Sequence, residues 1–215
     1  MRSARAVFLG LRAHGVSMDT VAVVCFDGFD ELDAIGPYEV FANAARAGAT
    51  WDVTLRSVRD QPTVTASHGL TVEPDGPLAE VRPDLLVVPG GGWTDGSEPG
   101  ARAEADRGDL PDAIARAADR GATVAGVCTG GMLLERAGLL DGRPAVTHAD
   151  AMADLRASAA EVVEARVVDD GDVLTAAGVT SGLDLAMYLV EREWGSEVAD
   201  AVRAEMAYER RGEVY

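Results

Sequence analysis

A cysteine stands where a short apolar run meets a glycine-rich turn. Residues 123–127 read Thr-Val-Ala-Gly-Val, Cys128 follows, and Gly130 and Gly131 open an apolar, helix-type pattern. This order is typical of a nucleophile elbow, in which a strand turns sharply into a helix and presents a reactive side chain. The amide groups at the start of that helix would face the sulfur and favour the thiolate, the reactive form of a thiol. We therefore predict that Cys128 is a nucleophile held as a thiolate.

Two further turns carry groups that such a nucleophile needs. The apolar run 85–88 ends in Pro-Gly-Gly-Gly at 89–92, whose amides, with that of Thr129, are candidates to bind a developing negative charge. Residues 27–33, Asp-Gly-Phe-Asp-Glu-Leu-Asp, offer carboxylates that could hydrogen-bond the sulfur and exchange protons with a substrate. Each feature alone is common, because glycine turns often follow strands and acidic loops are usually only solvated. Their joint occurrence predicts an active site.

The elements around these turns alternate between strands and helices. Strands are predicted at 20–26, 51–58, 85–88, 123–127 and 145–147, with extended pieces within 63–73 and a hairpin at 162–168 and 172–176. Helices are predicted at 36–47, 110–120, 129–137, 149–157, 181–194 and 196–209. This alternation predicts an α/β fold with a doubly wound, mostly parallel sheet and helices on both faces. Reactive sites in such sheets lie at the carboxyl ends of the strands, where all three turns fall.

Length and composition indicate one well-packed domain. The chain has 215 residues, 47% of them hydrophobic, and no apolar stretch long enough to span a membrane. Residues 1–17 contain three arginines and no acid, but their apolar part is too short for a good signal peptide. We expect 1–17 to be a disordered extension or not native, and 18–215 to be the domain.

The charge is strongly acidic, with 36 acidic residues, 19 arginines, no lysine and a net charge of −17. A GC-rich genome would explain the arginine bias; adaptation to high salt, which we favour, would also explain the acidic surface. The negative charge disfavours a nucleic-acid partner. The absence of lysine excludes both a Schiff-base lysine and a P-loop lysine.

The cysteines and histidines do not have the spacing of a metal site. Cys25 and Cys128 are the two cysteines, and no Cys/His cluster with zinc spacing occurs. Cys25 lies inside an apolar run and is interpreted as a buried structural thiol. The low cysteine count fits a reducing cytoplasm. We expect no metal.

Several ordered segments together resemble the ThiJ/PfpI family of the class I glutamine amidotransferase-like superfamily, and within it the isocyanide hydratase-like branch. They lie at 32–37, 88–91, 127–130, 147–148 and 177–184, and the resemblance covers about residues 20–210. It implies a flavodoxin-like fold, a homodimer and a small-molecule substrate, with no organic cofactor, no membrane partner and a cytoplasmic location.

The resemblance also implies catalytic roles. Cys128 matches the family nucleophile and Asp33 matches the acid that lies against the sulfur. Gly91 and Thr129 match the residues whose backbone amides form the oxyanion hole. Thr129 also matches the residue after the nucleophile in the hydratase branch. The protease-like branch has histidine there, which weakens a peptidase assignment. Residues 180–184 lack the histidine and glutamate of a glutaminase triad.

Three residues are possible supporting members of the site: Gly90, His148 and Asp184. His148 is either a general base for Cys128 or a hydrogen-bonded structural histidine, and we favour the structural role. The residue after this histidine is typically aromatic in isocyanide hydratases, whereas here it is Ala149.

The favoured function is a cysteine-dependent hydratase or hydrolase of the isocyanide hydratase type. The thiolate would attack an isocyanide carbon to give a thioimidate, Asp33 would manage the proton, and water would release an N-substituted formamide. The first alternative is a redox or reactive-carbonyl stress protein that uses the same cysteine. The second is an amidase-like ligand-sensing domain whose DNA-binding module would be a separate protein, because little sequence follows the last predicted helix.

Overall fold

The computed structural model describes residues 19–94 and 99–215, so the predicted extension 1–17 lies outside the described residues. The ten strands are β1 (Thr20–Cys25), β2 (Asp52–Ser57), β3 (Val64–Thr65), β4 (Thr71–Val72), β5 (Leu85–Val88), β6 (Thr123–Val127), β7 (Pro144–Ala145), β8 (Glu161–Val162), β9 (Val167–Asp169) and β10 (Val173–Ala176). The α-helices of the described residues are α1 (Glu31–Arg46), α2 (Ala101–Arg107), α3 (Asp109–Asp119), α4 (Gly130–Arg136), α5 (Met152–Arg156) and α6 (Ser181–Met206). Short 3-10 turns lie at Leu78–Glu80 and Ala149–Ala151.

A six-stranded sheet in the order β2-β1-β5-β6-β10-β9 forms the centre of the molecule. Its first five strands are parallel, and β9 pairs with β10 in the antiparallel direction. The five parallel strands therefore have the order of a flavodoxin-like sheet, with one antiparallel strand added at the edge. The predicted fold class is confirmed.

The helices cover both faces of this sheet. On one face α1 packs against α6, and on the other α2, α3 and α4 pack against one another. Strands β5 and β6 are buried along their whole length, as expected for apolar strands with helices on both sides. The two short pieces β3 and β4 pair in the antiparallel direction around the turn predicted at His68-Gly69.

Helix α1 begins five residues earlier than predicted. The Asp30 carboxylate accepts a hydrogen bond from the Leu32 amide and caps the helix, and Glu31 and Asp33 lie in the first turn. The sequence predicts Pro37 in the first turn of the helix, whereas it lies in the second turn. This difference matters because it brings Asp33 onto the helix.

The C-terminal helix agrees with the prediction of two segments. Gly195 has φ 81° and ψ 177°, which are not helical angles, so α6 is divided near the predicted boundary. Helix α2 was not predicted. Across the described ranges we find no helix with the length and apolar character needed to cross a bilayer.

Candidate active site

The turn at Cys128 has the geometry predicted for a nucleophile elbow. Cys128 follows β6 with φ 58°, an angle that non-glycine residues rarely adopt, and α4 begins two residues later. Its amide donates to the Ala176 carbonyl at 2.9 Å, and its carbonyl accepts from the Thr147 hydroxyl at 2.9 Å. These bonds to β10 and to the segment after β7 hold the backbone in its unusual conformation.

The turns after β5 and β6 touch each other, and only glycine fits between them. A Cβ atom on Gly130 would lie 2.2 Å from the Val88 carbonyl oxygen. A Cβ atom on Gly90 would lie 2.4 Å from the Thr129 hydroxyl oxygen and 2.6 Å from the Thr129 nitrogen. The two glycine motifs recognised in the sequence are therefore parts of one contact, and Gly90 supports the site through its lack of a side chain.

Asp33 lies on the buried face of α1 and is completely inaccessible to solvent. One carboxyl oxygen, Oδ2, accepts a hydrogen bond of 3.0 Å from the Gly90 amide, and Oδ1 has no conventional partner among the described residues. Burial and the nearby Asp30 raise the pKa of Asp33 well above its usual range, against the smaller effects of the Gly90 amide and the Cys128 thiol.

Cys128 is also a weak acid in this environment. Its residue surface is 6% exposed, and burial followed by the Asp33 charge raises the pKa of its thiol; the Thr129 amide lowers it by less. This direction is opposite to the one expected for a resting thiolate, because desolvation and a facing carboxylate outweigh the first turn of a seven-residue helix. Asp33 and Cys128 interact directly and titrate as a pair.

Gly91 and Thr129, predicted as the oxyanion-hole residues, lie in adjacent turns, and the Gly91 amide is already hydrogen-bonded. The Gly91 amide donates to the Thr129 hydroxyl oxygen at 2.9 Å. This bond leaves the hydroxyl hydrogen of Thr129 free to donate, since that side chain makes no other hydrogen bond with the described residues. Thr129 therefore offers a polarised hydroxyl backed by the Gly91 amide, and the Gly91 amide itself is not free.

His148 and Asp184 have hydrogen-bond partners outside this cluster. Nδ1 of His148 accepts from the Asp150 amide at 3.3 Å and caps a 3-10 turn. Asp184 is completely buried and accepts from Arg166, from the Tyr208 hydroxyl at 3.0 Å and from the Arg211 amide at 2.6 Å. Asp184 thus connects α6 to the C-terminal segment, and a direct role for either residue at the sulfur stays a prediction.

A cavity of about 720 Å³ lies beside the site, between the loop after β1, the β3–β4 hairpin and the turn at Gly91. At its edge Nδ1 of His68 lies 2.6 Å from Glu31 Oε2. Within the described ranges, Asp30, Glu31 and His68 form the group whose atoms are close enough to share a metal ion. Two of these three are already paired with each other and Asp30 caps α1, so the arrangement has an internal structural explanation.

Three side chains next to the glycine turn form a cluster that was not predicted from the sequence. The indole nitrogen of Trp93 donates to Asp154 at 2.7 Å, and the Arg102 guanidinium lies 4.2 Å from the centre of the Trp93 ring. Arg102 also pairs with Asp154, so three side chains connect the turn after β5 to α5. The position of Trp93 directly after three glycines was the sequence signal for this cluster. Its partner Asp154 lies far away in the sequence, so the contact itself could not be read from local patterns.

The structure combines a doubly wound sheet with a cysteine at the sharp turn after a central strand, an arrangement that is typical of one class of α/β proteins. The sequence pattern of the DJ-1/PfpI family matches residues 19–192, and the chain belongs to this family. It is 32% identical over 194 residues to isonitrile hydratase of Pseudomonas putida, covering 87% of this chain and 78% of that protein.

Other relatives carry different names. Protein DJ-1 homolog A of Arabidopsis thaliana is 32% identical over 187 residues, which cover 85% of this chain and 45% of that protein. Among solved structures, a ThiJ/PfpI family protein from Pseudomonas syringae superposes with a TM-score of 0.77 at 27% identity, covering 90% of this chain and 76% of that one.

Proposed function

We propose that the protein is a cysteine-dependent enzyme that adds water to a small electrophilic substrate, in the manner of an isocyanide hydratase. The observation that carries this proposal is the buried, directly interacting Asp33–Cys128 pair at the elbow after β6. The similarity to isonitrile hydratase of Pseudomonas putida supports the choice of substrate class.

The raised pKa values suit an addition that needs both a nucleophile and a proton. The sulfur forms a bond to the isocyanide carbon, and the proton shared by Cys128 and Asp33 passes to that same carbon. The product is a thioimidate, in which the carbon carries hydrogen, sulfur and a double bond to nitrogen. Because the pair already holds the proton, the addition needs no proton from solvent.

The second half of the cycle consumes water. A water molecule adds to the thioimidate carbon, its oxygen stays on carbon, and one of its protons goes to nitrogen. The carbon–sulfur bond then breaks, the second water proton returns to the Cys128–Asp33 pair, and an N-substituted formamide leaves. The Thr129 hydroxyl, held by the Gly91 amide, donates to the oxygen that becomes the formamide carbonyl. The proposal involves no metal or organic cofactor.

The test is formamide release from a panel of small isonitriles, measured by NMR. Wild type is expected to turn over at least one member, Cys128→Ala none, and Cys25→Ala as much as wild type, since Cys25 is fully buried in β1. Equal formamide release by wild type and Cys128→Ala would remove the mechanism. The redox alternative predicts instead a rapid mass increase of Cys128 in mild peroxide without formamide release.

The assembly is part of the same proposal. We propose a homodimer of this domain acting on a small molecule, and sedimentation velocity on the purified chain tests it. A single species with the mass of two chains is the expected result, and a monomer at all protein concentrations would contradict it.

A further inference from the structure

A second cavity, also of about 720 Å³, reaches the amino-terminal ends of the strands that carry the Cys128 site. Its wall includes Asp84, which directly precedes β5, and Ala122, which directly precedes β6. Gly90 and Cys128 follow the same two strands at their carboxyl ends. The two cavities share no lining residue with each other, so this second one is independent of the proposed reaction.

Four arginines line this cavity. Arg59, Arg82, Arg116 and Arg120 line it, and Arg59 is paired with Glu104. The other three make no ion pair and no side-chain hydrogen bond with any residue that the structure describes, whereas most of the described arginines are paired with carboxylates. In a chain of net charge −17, three unneutralised guanidinium groups around one cavity need an explanation.

The cavity wall holds three aspartates against four arginines. Asp84 accepts hydrogen bonds from the backbone amides of Asp19 and Thr20, and Asp109 is paired with Arg59. Asp112 is exposed and is the remaining acidic residue of the wall. The wall therefore keeps an excess of positive charge, which favours an anionic ligand.

The rest of the lining is apolar and includes Leu78, Val81 and Ala117. A cavity of this volume is in the range of sites for small organic molecules, which is roughly 300 to 1,000 Å³. Guanidinium groups form paired hydrogen bonds with phosphate oxygens, and a phosphate monoester carries about −1.5 to −2 charges at neutral pH, enough to engage more than one arginine.

We propose that this cavity binds a small organic phosphate monoester. The phosphate group contacts Arg82, Arg116 and Arg120, and the organic part packs against the apolar wall formed by Leu78 and its neighbours. A carboxylate carries one charge and leaves more of the guanidinium charge uncompensated, which is why the phosphate is the favoured anion.

The experiment titrates 1-naphthyl phosphate into the ¹⁵N-labelled chain and follows the backbone amide shifts. Saturable shifts are expected at Gly121, Ala122 and Ala113, while the amides around Cys128 stay unchanged. Higher salt should weaken the binding, because exposed charges are screened. No saturable shift at millimolar probe, or shifts centred on Cys128, would overturn the proposal.

Arginine variants inside and outside the cavity test whether binding depends on the positive charges of the cavity wall. Arg116→Gln/Arg120→Gln is expected to weaken binding by about tenfold or more, the usual effect of removing charge-assisted hydrogen bonds. Arg211→Gln is the control, since Arg211 is also exposed, its side chain has no ion pair within the described residues, and it lies outside the cavity. Arg82→Gln, in the loop before β5, repeats the test without touching a helix. Equal affinity for the double variant and wild type would refute the site.

Three further probes define the ligand class. We expect 1-naphthol and inorganic phosphate to bind at least about tenfold more weakly than 1-naphthyl phosphate, because each lacks one of the two recognised parts. 1-Naphthoate is expected to fall between them. Equal binding of 1-naphthol would mean that the arginines do not contribute, and tighter binding of the carboxylate would replace the phosphate assignment.

Discussion

The amide of Gly91 donates a 2.9 Å hydrogen bond to the hydroxyl oxygen of Thr129. Gly91 belongs to the turn after β5 and Thr129 to the elbow after β6, so this bond joins the two turns beside the sulfur. Both residues would be expected to offer free amides to a substrate oxygen, and the structure makes the hydroxyl the available donor. In the proposed reaction the Gly91 amide would act on the substrate through that hydroxyl.

Replacement of Thr129 by valine is expected to cost both stability and activity. The variant leaves the Gly91 amide without an acceptor, which costs about 1–3 kcal/mol of unfolding free energy. Loss of the hydroxyl donor should lower kcat on an isonitrile substrate by about 100-fold. Denaturant unfolding and formamide release measure the two effects. Thr129→Ser keeps the hydroxyl and should stay near wild type; an equally impaired serine variant would mean that the methyl group matters instead.

Alkylation of Cys128 should be slow at neutral pH and rise steeply with pH. Since burial and Asp33 raise the pKa of this thiol, the rate with iodoacetamide should increase about tenfold per pH unit up to pH 9. Asp33→Asn removes the facing charge, so its alkylation at pH 8 should be faster than wild type while formamide release becomes slower. Intact mass against time measures the rate. A plateau below pH 7 would show that the resting sulfur is a thiolate.

Gly90→Ala should displace Thr129. The added Cβ would lie 2.6 Å from the Thr129 nitrogen, a backbone atom that cannot move without shifting the elbow. We expect a loss of about 1–3 kcal/mol in thermal or denaturant unfolding, together with loss of formamide release. Gly178→Ala is the matched control, since a Cβ there meets nothing within 4 Å. A loss of similar size in Gly178→Ala would show that the effect does not come from the contact with Thr129.

The His68–Glu31 pair should stabilise the fold in a limited pH window. Hydrogen bonds from the His68 side chain and amide outweigh the opposing effect of burial and lower the pKa of Glu31 from 4.5 to about 2, so its contribution is present above pH 4.5 and lost as the pH falls toward 2. The hydrogen bond to Glu31 raises the pKa of His68 above 6.5, so that contribution is full below pH 6.5 and lost as the pH rises through the raised value.

The measurement for this pair is the difference in Tm between wild type and His68→Asn from pH 3 to pH 9. The difference should be largest between pH 4.5 and 6.5 and should decrease on both sides. Because His68 is on the surface, the effect should also shrink in high salt. A difference that does not vary with pH would show that the hairpin is held by its backbone hydrogen bonds alone.

Asp184→Asn should destabilise the C-terminal segment and leave Cys128 chemistry intact. Asp184 is fully buried, and its loss of charge leaves Arg166 without its partner, at a cost of about 3 kcal/mol. Denaturant unfolding measures this cost, and Cys128 alkylation at pH 8 is the second readout. An unchanged unfolding curve with altered alkylation would instead assign Asp184 to the support of the active site.

The sequence by itself determined the sheet and the elbow. The apolar runs of β5 and β6, the glycines after each of them and the helix-type pattern after Cys128 all act on neighbouring residues. Backbone preference and burial patterns are local in this sense, so they can be recognised without a structure. Local reasoning gave the wrong start for α1, because the helix begins after the Asp30 cap and not near Pro37.

Only the tertiary structure decided how the site is charged and connected. Asp33 lies on α1 and Cys128 follows β6, and their shared desolvation raises both pKa values, which opposes the thiolate expected from the helix alone. Trp93 with its partner Asp154, and the arginines around the second cavity, are likewise distant in sequence and close in space. The pKa of a group and its hydrogen-bond partners depend on which other groups are buried beside it, and only the folded chain determines which groups those are.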